Sequence, residues 1–145
     1  SSRGSAYGDN DNDGDREVLV LNMNDPPSLL RNDGGNQNAS ITVKLIGTRC
    51  NRTAIGARVR VVTGSHAQIG EITSGGSVMS QSDLRLQFGL GKAPVADVLE
   101  VRWPTTQKLD SFPRIAAGQI LTIKEGSGII KTEKYTGTPS AIDSK

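Results

Sequence analysis

The sequence is poor in aromatic residues, cysteine and histidine. Aromatic side chains make up 3% of the 145 residues, so the core must be built from Val, Ile and Leu, and few rings are available to stack on nucleic-acid bases. The one cysteine, Cys50, cannot form an internal disulfide, and a small buried side chain is its commonest role. The one histidine, His66, lies in a polar, turn-like segment. Because no Cys–His or Ser–His–Asp grouping is recognisable, we expect a protein that is not an enzyme.

Long hydrophobic runs are also missing. No stretch approaches the roughly 20 apolar residues that a membrane-spanning helix needs, so we expect no membrane span. The chain begins SSRGSAYG, without a methionine or a signal sequence. We therefore expect a processed mature chain or a fragment of a longer one.

The sequence is rich in glycine and in runs of alternating hydrophobicity. Turn signals and 17 glycines separate runs in which apolar and polar residues alternate, as they do in half-buried strands. The runs are 41–47, 57–63, 84–90, 97–103 and 119–125, with 67–73 as a weaker sixth. Only 28–32 and 111–117 look capable of a helical turn. Short, evenly spaced strands predict an all-β antiparallel sandwich.

The alternation also predicts which side chains point into the core of this sandwich. Along four of the runs, apolar residues alternate with Arg, Gln, Glu, Thr or Lys. The predicted inward-facing residues are Val59, Val61, Leu86, Phe88, Leu99, Val101, Trp103, Leu121 and Ile123. Packing two such sheets face to face would bury them between the layers.

Residues 9–17 contain a cluster of carboxylates at alternate positions. These residues are Asp9, Asp11, Asp13, Asp15 and Glu17. Alternate carboxylates on a tight loop converge their oxygens, and Gly14 permits the turn; calcium takes six to eight such oxygen ligands. An EF-hand is excluded, because Val20 stands where that motif needs a bidentate Glu. We predict one Ca²⁺, bound by side chains of Asp9, Asp11, Asp13 and Glu17 and by a backbone or side-chain oxygen of Asp15. The alternative is a disordered acidic tail.

Charge is divided unevenly between this loop and the rest of the chain. Residues 1–17 carry two arginines against five carboxylates, a net charge of −3, while residues 18–145 carry 15 basic and 10 acidic side chains, a net charge of +5. A basic body suits nucleic acid, but the arginines are spread along the strands and aromatic residues are few. We therefore expect no nucleic-acid partner.

Two parts of the chain resemble known families. The sequence D-x-D-x-D-G-D, followed by a hydrophobic strand and an asparagine, resembles the calcium-binding FG-GAP/VCBS repeat of β-propellers. Four further segments resemble the ASPIC/UnbV domain of the cartilage acidic protein family: 51–61, 74–83, 86–91 and 99–104. This resemblance implies an extracellular, non-catalytic sandwich of transthyretin-like or Ig-like type that normally follows a β-propeller.

The resemblance and the strand pattern together suggest three regions. Residues 1–35 form an N-terminal segment with the calcium loop and an extension strand, and residues 36–125 form the sandwich. Residues 126–145 form a C-terminal tail whose role the sequence does not indicate.

Four apolar residues follow the acidic loop directly: Val18, Leu19, Val20 and Leu21. A strand that is apolar on both faces belongs at the centre of a sheet, yet a propeller blade has four strands and only one repeat is present here. Three arrangements are open. The chain is a fragment, the strand folds back on its own sandwich, or it completes the sheet of a neighbouring subunit. Strand donation would propagate head to tail into filaments.

Two functions follow from these arrangements. The leading hypothesis is a secreted, calcium-binding structural module that self-assembles into a homo-oligomer or filament by donating residues 18–21, as a fibre or surface subunit. Its rival is the C-terminal binding or adhesion module of a larger secreted β-propeller protein that recognises a carbohydrate or a cell-surface partner.

Three polar features complete the candidate sites. Asn38 and Asn51 each begin an N-x-S/T tripeptide, the acceptor pattern for N-glycosylation, which often occurs by chance. The polar stretch 80–83 could bind a ligand, although turn and capping roles are commoner for such residues.

Overall fold

The computed structural model describes residues 2–136, and this part of the chain consists of strands, turns and one short 3₁₀ helix at Gly35–Gln37. The strands are β1 (Ser2–Gly8), β2 (Glu17–Asn22), β3 (Ser28–Leu30), β4 (Ala39–Ile46), β5 (Arg58–Thr63), β6 (His66–Glu71), β7 (Gly76–Ser77), β8 (Ser80–Gln81), β9 (Leu86–Gly91), β10 (Val95–Arg102), β11 (Leu109–Ala116), β12 (Gln119–Lys124) and β13 (Gly128–Lys134). No helix within these residues is long or apolar enough to cross a membrane.

Two four-stranded sheets share one hydrophobic core, which confirms the predicted β-sandwich. The first sheet has the order β11-β10-β5-β6 and the second has the order β13-β12-β4-β9. All pairs in these sheets are antiparallel except β4 and β12, which run parallel. Side chains from both sheets meet in the core, among them Ile41 and Val43 of β4, Val59 and Val61 of β5, Leu99 and Val101 of β10, and Leu121 and Ile123 of β12.

The predicted strand runs and core residues agree closely with this fold. Each of the six alternating runs overlaps a strand: β4, β5, β6, β9, β10 and β12. Eight of the nine predicted inward residues are buried, including Trp103, which is fully enclosed and donates its indole N–H to Asp110 at 2.8 Å. Leu86, the first residue of β9, is only partly buried.

The sequence reading of the remaining segments was wrong in two places. The segments 111–117 and 28–32, predicted to be capable of a helical turn, instead contain residues 111–116 of β11 and the whole of β3. β11 pairs along its length with β10, so tertiary pairing overrides the weak local pattern. The segment set apart as a C-terminal tail begins with β13, which pairs with β12; residues 137–145 lie outside the described part.

The expectation that residues 18–21 are donated to a neighbouring subunit was also wrong. Val18, Leu19, Val20 and Leu21 lie in β2, which pairs with β1 on one edge and with β3 on the other. Both edges of β2 are thus occupied by strands of the same chain, so residues 18–21 are already paired and are not a strand to be donated. The partners were not recognised because β1 is rich in Gly and Ser and β3 is only three residues long.

Candidate metal centre

The acidic loop connects β1 to β2 at one end of this N-terminal three-stranded sheet. Its shape depends on Gly14, which has φ +92°, a conformation that favours glycine. A Cβ at this position would lie 2.7 Å from the Tyr135 ring, so the close packing also requires glycine. Both carboxylate oxygens of Asp9 accept backbone amides, from Asp13 and from Gly14, each at 3.2 Å. Asp9 therefore folds the loop over itself.

Further carboxylates point into the loop and are tied to its backbone. Glu17 accepts the amide of Asn10 at 3.0 Å, and Asp13 accepts the amide of Asp15 at 3.0 Å. Two of the acidic residues are shielded from water: Glu17 is 6% exposed and Asp15 is 3% exposed.

The structure gathers all five predicted ligand residues into two overlapping groups. Asp9, Asp11 and Glu17 form one group, and Asp13, Asp15 and Glu17 form the other. Within each group, one carboxylate oxygen per residue lies within 4.8 Å of the others. Glu17 belongs to both groups, so it occupies the centre of the cluster.

Asp15 has one carboxylate oxygen without a partner in the described part of the chain. Its Oδ2 accepts the amide of Gly35 at 3.1 Å, but its Oδ1 is buried and accepts no hydrogen bond within residues 2–136. Desolvation by burial, aided by the negative charge of Asp13, raises the pKa of Asp15 to about 6. A buried acceptor without a partner costs free energy, and a bound cation would remove that cost. The residues therefore fit a hard metal ion.

Burial also raises the pKa of Asp9, and the loop amides and the nearby Arg85 guanidinium oppose this shift. Arg85 is held in place by Asp83, whose Oδ2 accepts its Nε–H at 2.6 Å. From there the guanidinium donates to Asn12 Oδ1 at 2.6 Å and to the backbone carbonyl of Asp9 at 2.5 Å. Arg85 thus joins the acidic loop to the segment that leads into β9.

Two more residues attach the loop to the second sheet of the sandwich. The Gln87 side chain donates to the carbonyl of Gly14. On the other side, the amide of Thr136 donates to the carbonyl of Asn12 at 2.8 Å, and its hydroxyl donates to the carbonyl of Asp11. The loop is therefore fixed from both β9 and the end of β13.

The polar stretch 80–83 joins β1 to the sandwich. The Ser80 hydroxyl donates to the carbonyl of Ser5 at 2.8 Å, the amide of Tyr7 donates to the Ser82 hydroxyl at 3.3 Å, and the amide of Asp83 donates to the carbonyl of Tyr7 at 2.9 Å. Two hydroxyls and one backbone amide of this stretch thus bond to the outer edge of β1. The stretch therefore has a structural role.

The two asparagines of the glycosylation pattern lie in exposed positions. Asn51 organises the turn before β5: its Oδ1 accepts the amide of Ile55 at 2.8 Å and the Thr53 hydroxyl at 3.0 Å, while its Nδ2 donates to the carbonyl of Ile55 at 2.9 Å. A glycan would be attached to Nδ2 of Asn51, the atom that donates to the carbonyl of Ile55 in this turn. Glycosylation of either residue stays a prediction.

Sequence reasoning did not find the residues that support the acidic loop from outside. Arg85, Gln87, Tyr135 and Thr136 lie at least 68 positions further along the chain than Glu17, and no local pattern links them to it. The only related signal in the sequence is the alternation of the run 84–90, which places Arg85 and Gln87 on the polar face of this predicted strand. Both side chains contact the acidic loop.

The fold and the loop define a class: a β-sandwich preceded by a small sheet that carries a carboxylate loop. The family model of ASPIC and UnbV matches residues 47–130, which is more than half of the chain, and the chain therefore belongs to this family. The match covers most of the sandwich from the end of β4 to the start of β13 and excludes the acidic loop. A comparison with curated proteins finds no match.

Proposed function

We propose that the chain is a calcium-binding module from the C-terminal part of a larger secreted protein, where it recognises a carbohydrate or a cell-surface partner. The observation that carries the proposal is the acidic loop with the buried, unpartnered oxygen of Asp15. Membership of the ASPIC and UnbV family supports placement in a larger protein, and the resemblance of the loop to FG-GAP/VCBS repeats supports a preceding β-propeller.

Calcium is the ion that suits this donor set best. The two groups offer carboxylate oxygens and no nitrogen or sulfur, and hard oxygen ligands select Ca²⁺ or Mg²⁺ over softer metals. Ca²⁺ tolerates the irregular arrangement of a loop, whereas Mg²⁺ demands near-ideal octahedral geometry. For a secreted module we expect a dissociation constant on the order of 10⁻⁴ to 10⁻³ M, the range of extracellular calcium modules.

The N-terminal sheet supports attachment to further structure. Leu19, Leu21 and Leu29 are 41%, 45% and 58% exposed and lie on one face, because Leu19 pairs directly with Leu29. Leu30, 58% exposed, and Tyr7, 48% exposed, lie on the opposite face beside Val18. A sheet with apolar side chains on both faces is suited to packing between two other sheets, as the blades of a propeller do.

Calorimetric titration tests the calcium site. Glu17 belongs to both carboxylate groups, so Glu17→Gln should abolish binding or weaken it by at least about tenfold. Glu71→Gln, which removes an exposed pair with Arg58 on the first sheet, is the matched control and should bind calcium like the natural chain. The proposal is wrong if the natural chain binds no calcium or if Glu17→Gln leaves the affinity unchanged.

The pH dependence supplies a second test. Because the pKa of Asp15 is raised to about 6, calcium must displace a proton from this carboxyl below that pH, and we expect the affinity to fall by up to about tenfold per pH unit there. The raised pKa also means that protonation of Asp15 stabilises the ion-free fold at low pH, and that this stability is lost as the pH rises through about 6. Titrations at several pH values in two buffers of different ionisation enthalpy would count the released protons; an affinity that is constant down to about pH 4 would contradict this prediction.

A further inference from the structure

A groove with a volume of about 730 Å³ lies on the second sheet, on the face opposite the core. Its floor includes Ile120 and Thr122 of β12, its far wall is formed by β13, and the acidic loop borders it at Asn12. We call it the basic groove, because five cationic side chains and only two carboxylates line it. The cationic residues are Lys44, Arg52, Arg85, Lys131 and Lys134, and the acidic residues are Asp83 and Glu133.

Three of the cations in the basic groove have no counter-charge in the described part of the chain. Arg85 is paired with Asp83 at 2.6 Å and Lys131 with Glu133 at 2.9 Å, which accounts for both carboxylates. Lys44, Arg52 and Lys134 are exposed, and within residues 2–136 their side chains form neither an ion pair nor a hydrogen bond. Their charges are therefore available to a ligand.

Strand register places cations side by side across the basic groove. Thr122 lies opposite Lys44 on β4 and opposite Lys131 on β13, so the two lysines are separated by two strand spacings, about 10 Å. Arg52 and Lys134 border the groove outside this row, Lys134 at the end of β13 where it pairs with Gln119. Such a row suits an extended polyanion better than a single small anion.

The other groups in the basic groove favour a sugar chain over nucleic acid or peptide. Within residues 2–136 no aromatic side chain lines the groove, so bases would find no ring for stacking. The strands β4 and β12 are paired on both edges, so a peptide could not add along the floor of the groove and would have to pair with the outer edge of β13. The hydroxyls of Thr53 and Thr136, which line the groove, donate within the chain but keep lone pairs that can accept from sugar hydroxyls.

We propose that the basic groove binds an anionic oligosaccharide that carries carboxylate or sulfate groups. This inference rests on the carbohydrate recognition in the proposed function and specifies its ligand class and its site. Electrostatic attraction of this kind is screened by salt, so binding should weaken as ionic strength rises.

The test is to measure binding by the 145-residue chain to a hexasaccharide of heparin and to a hexamer of galacturonic acid, with calcium present. The groove variant combines Lys44→Gln, Arg52→Gln and Lys134→Gln. Each exposed charge pair contributes up to about 1 kcal/mol, so the three substitutions should weaken binding to the better of the two probes by roughly tenfold or more. Raising the salt from about 50 to about 200 mM should weaken binding by the natural chain but have a smaller effect on the variant.

The matched control removes three exposed cations that do not line the groove, through Lys92→Gln, Arg102→Gln and Arg114→Gln. It has the same net charge as the groove variant and should keep at least half of the natural affinity. Equal melting temperatures for the three proteins would show that all are folded.

Three results would overturn the proposal: no binding of either sugar, equal loss in the groove variant and the control, or tighter binding to polyglutamate or to a single-stranded oligonucleotide of the same charge. Calcium titration separates this proposal from the calcium site, because the groove variant keeps Glu17 and all other loop carboxylates and should bind calcium normally. Loss of sugar binding with intact calcium binding supports the groove, whereas failure of calcium binding in the natural chain concerns the loop alone.

Discussion

Glu125 follows β12 directly, and its carboxylate is 4% exposed. Its Oε2 accepts three consecutive backbone amides, from Thr48 at 2.9 Å, Arg49 at 2.8 Å and Cys50 at 3.1 Å. Desolvation by burial would raise the pKa, but these amides outweigh it and hold the pKa of Glu125 at about 2. One buried carboxylate thus fixes the loop after β4 to the end of β12.

Replacing this carboxylate should destabilise the sandwich. In Glu125→Gln the neutral amide accepts the three N–H groups more weakly, and hydrogen bonds to charged groups contribute about 1.5–3 kcal/mol. We expect urea unfolding near neutral pH to give a free energy of unfolding lower by about 1–3 kcal/mol. Glu133→Gln, which removes an exposed pair with Lys131, should cost less than about 1 kcal/mol.

The pH dependence of this difference has a defined sign. Because the pKa of Glu125 is lowered from 4.5 to about 2, its stabilising contribution is complete above pH 4.5 and is lost as the pH falls towards about 2. The natural chain and Glu125→Gln should therefore converge in stability over this interval. A difference that stays constant from neutral pH to about pH 2 would show that the carboxylate charge is not the cause.

At the scale of elements, the N-terminal sheet is held to the sandwich by polar contacts centred on Arg85. This side chain bonds Asp83, Asn12 and the carbonyl of Asp9, and the β1 edge adds the contacts to 80–83. Few large apolar side chains join the two parts, since the leucines of β2 and β3 are exposed. The N-terminal sheet should therefore open locally before the sandwich unfolds.

Arg85→Gln should make this opening easier. Loss of the guanidinium bonds should lower the free energy of local opening by about 2 kcal/mol, so amides of β1 and β2 should exchange with deuterium roughly thirtyfold faster. Exchange in β5 and β10, at the centre of the first sheet, should not change. Arg58→Gln, whose ion pair with Glu71 is exposed, serves as the control, and equal exchange in both variants would contradict the role of Arg85.

At the scale of the whole molecule, exposed leucines on both faces of the N-terminal sheet distinguish this part from the sandwich. Two of them, Leu29 and Leu30, are each 58% exposed. In the 145-residue chain, the double change Leu29→Ser and Leu30→Ser should lower self-association and binding of a hydrophobic dye. The free energy of unfolding should change by less than about 0.5 kcal/mol, because the side chains bury little surface here.

The control for this experiment is Ile69→Ser, which removes a single exposed apolar side chain, 70% exposed, on β6. It should leave dye binding nearly unchanged, since an isolated exposed residue does not form a patch. In a longer protein that covers the N-terminal sheet, the leucine substitutions should instead be destabilising. Equal stability of the natural and substituted longer proteins would argue against a covering domain.

The sequence by itself determined those features that depend only on residues close together in the chain. Alternation with period two fixes which face of β5, β10 and β12 is apolar, so Val59, Val101 and Ile123 could be assigned to the core. Likewise, the carboxylates at alternate positions and Gly14 predict a tight loop that gathers its carboxylates, and the structure gathers them.

Only the tertiary structure decided what depends on contacts between distant residues. β2 is apolar on both faces whether its partners come from its own chain or from another, and the pairing with β1 and β3 settles the choice. β11 carries no strong pattern of its own and is a strand because β10 supplies its hydrogen bonds. The cations of the basic groove, likewise, are spread from Lys44 to Lys134 in sequence and meet only because β4, β12 and β13 are neighbours in one sheet. Local periodicity encodes the faces of strands, whereas the order of strands depends on long-range packing that no short segment specifies.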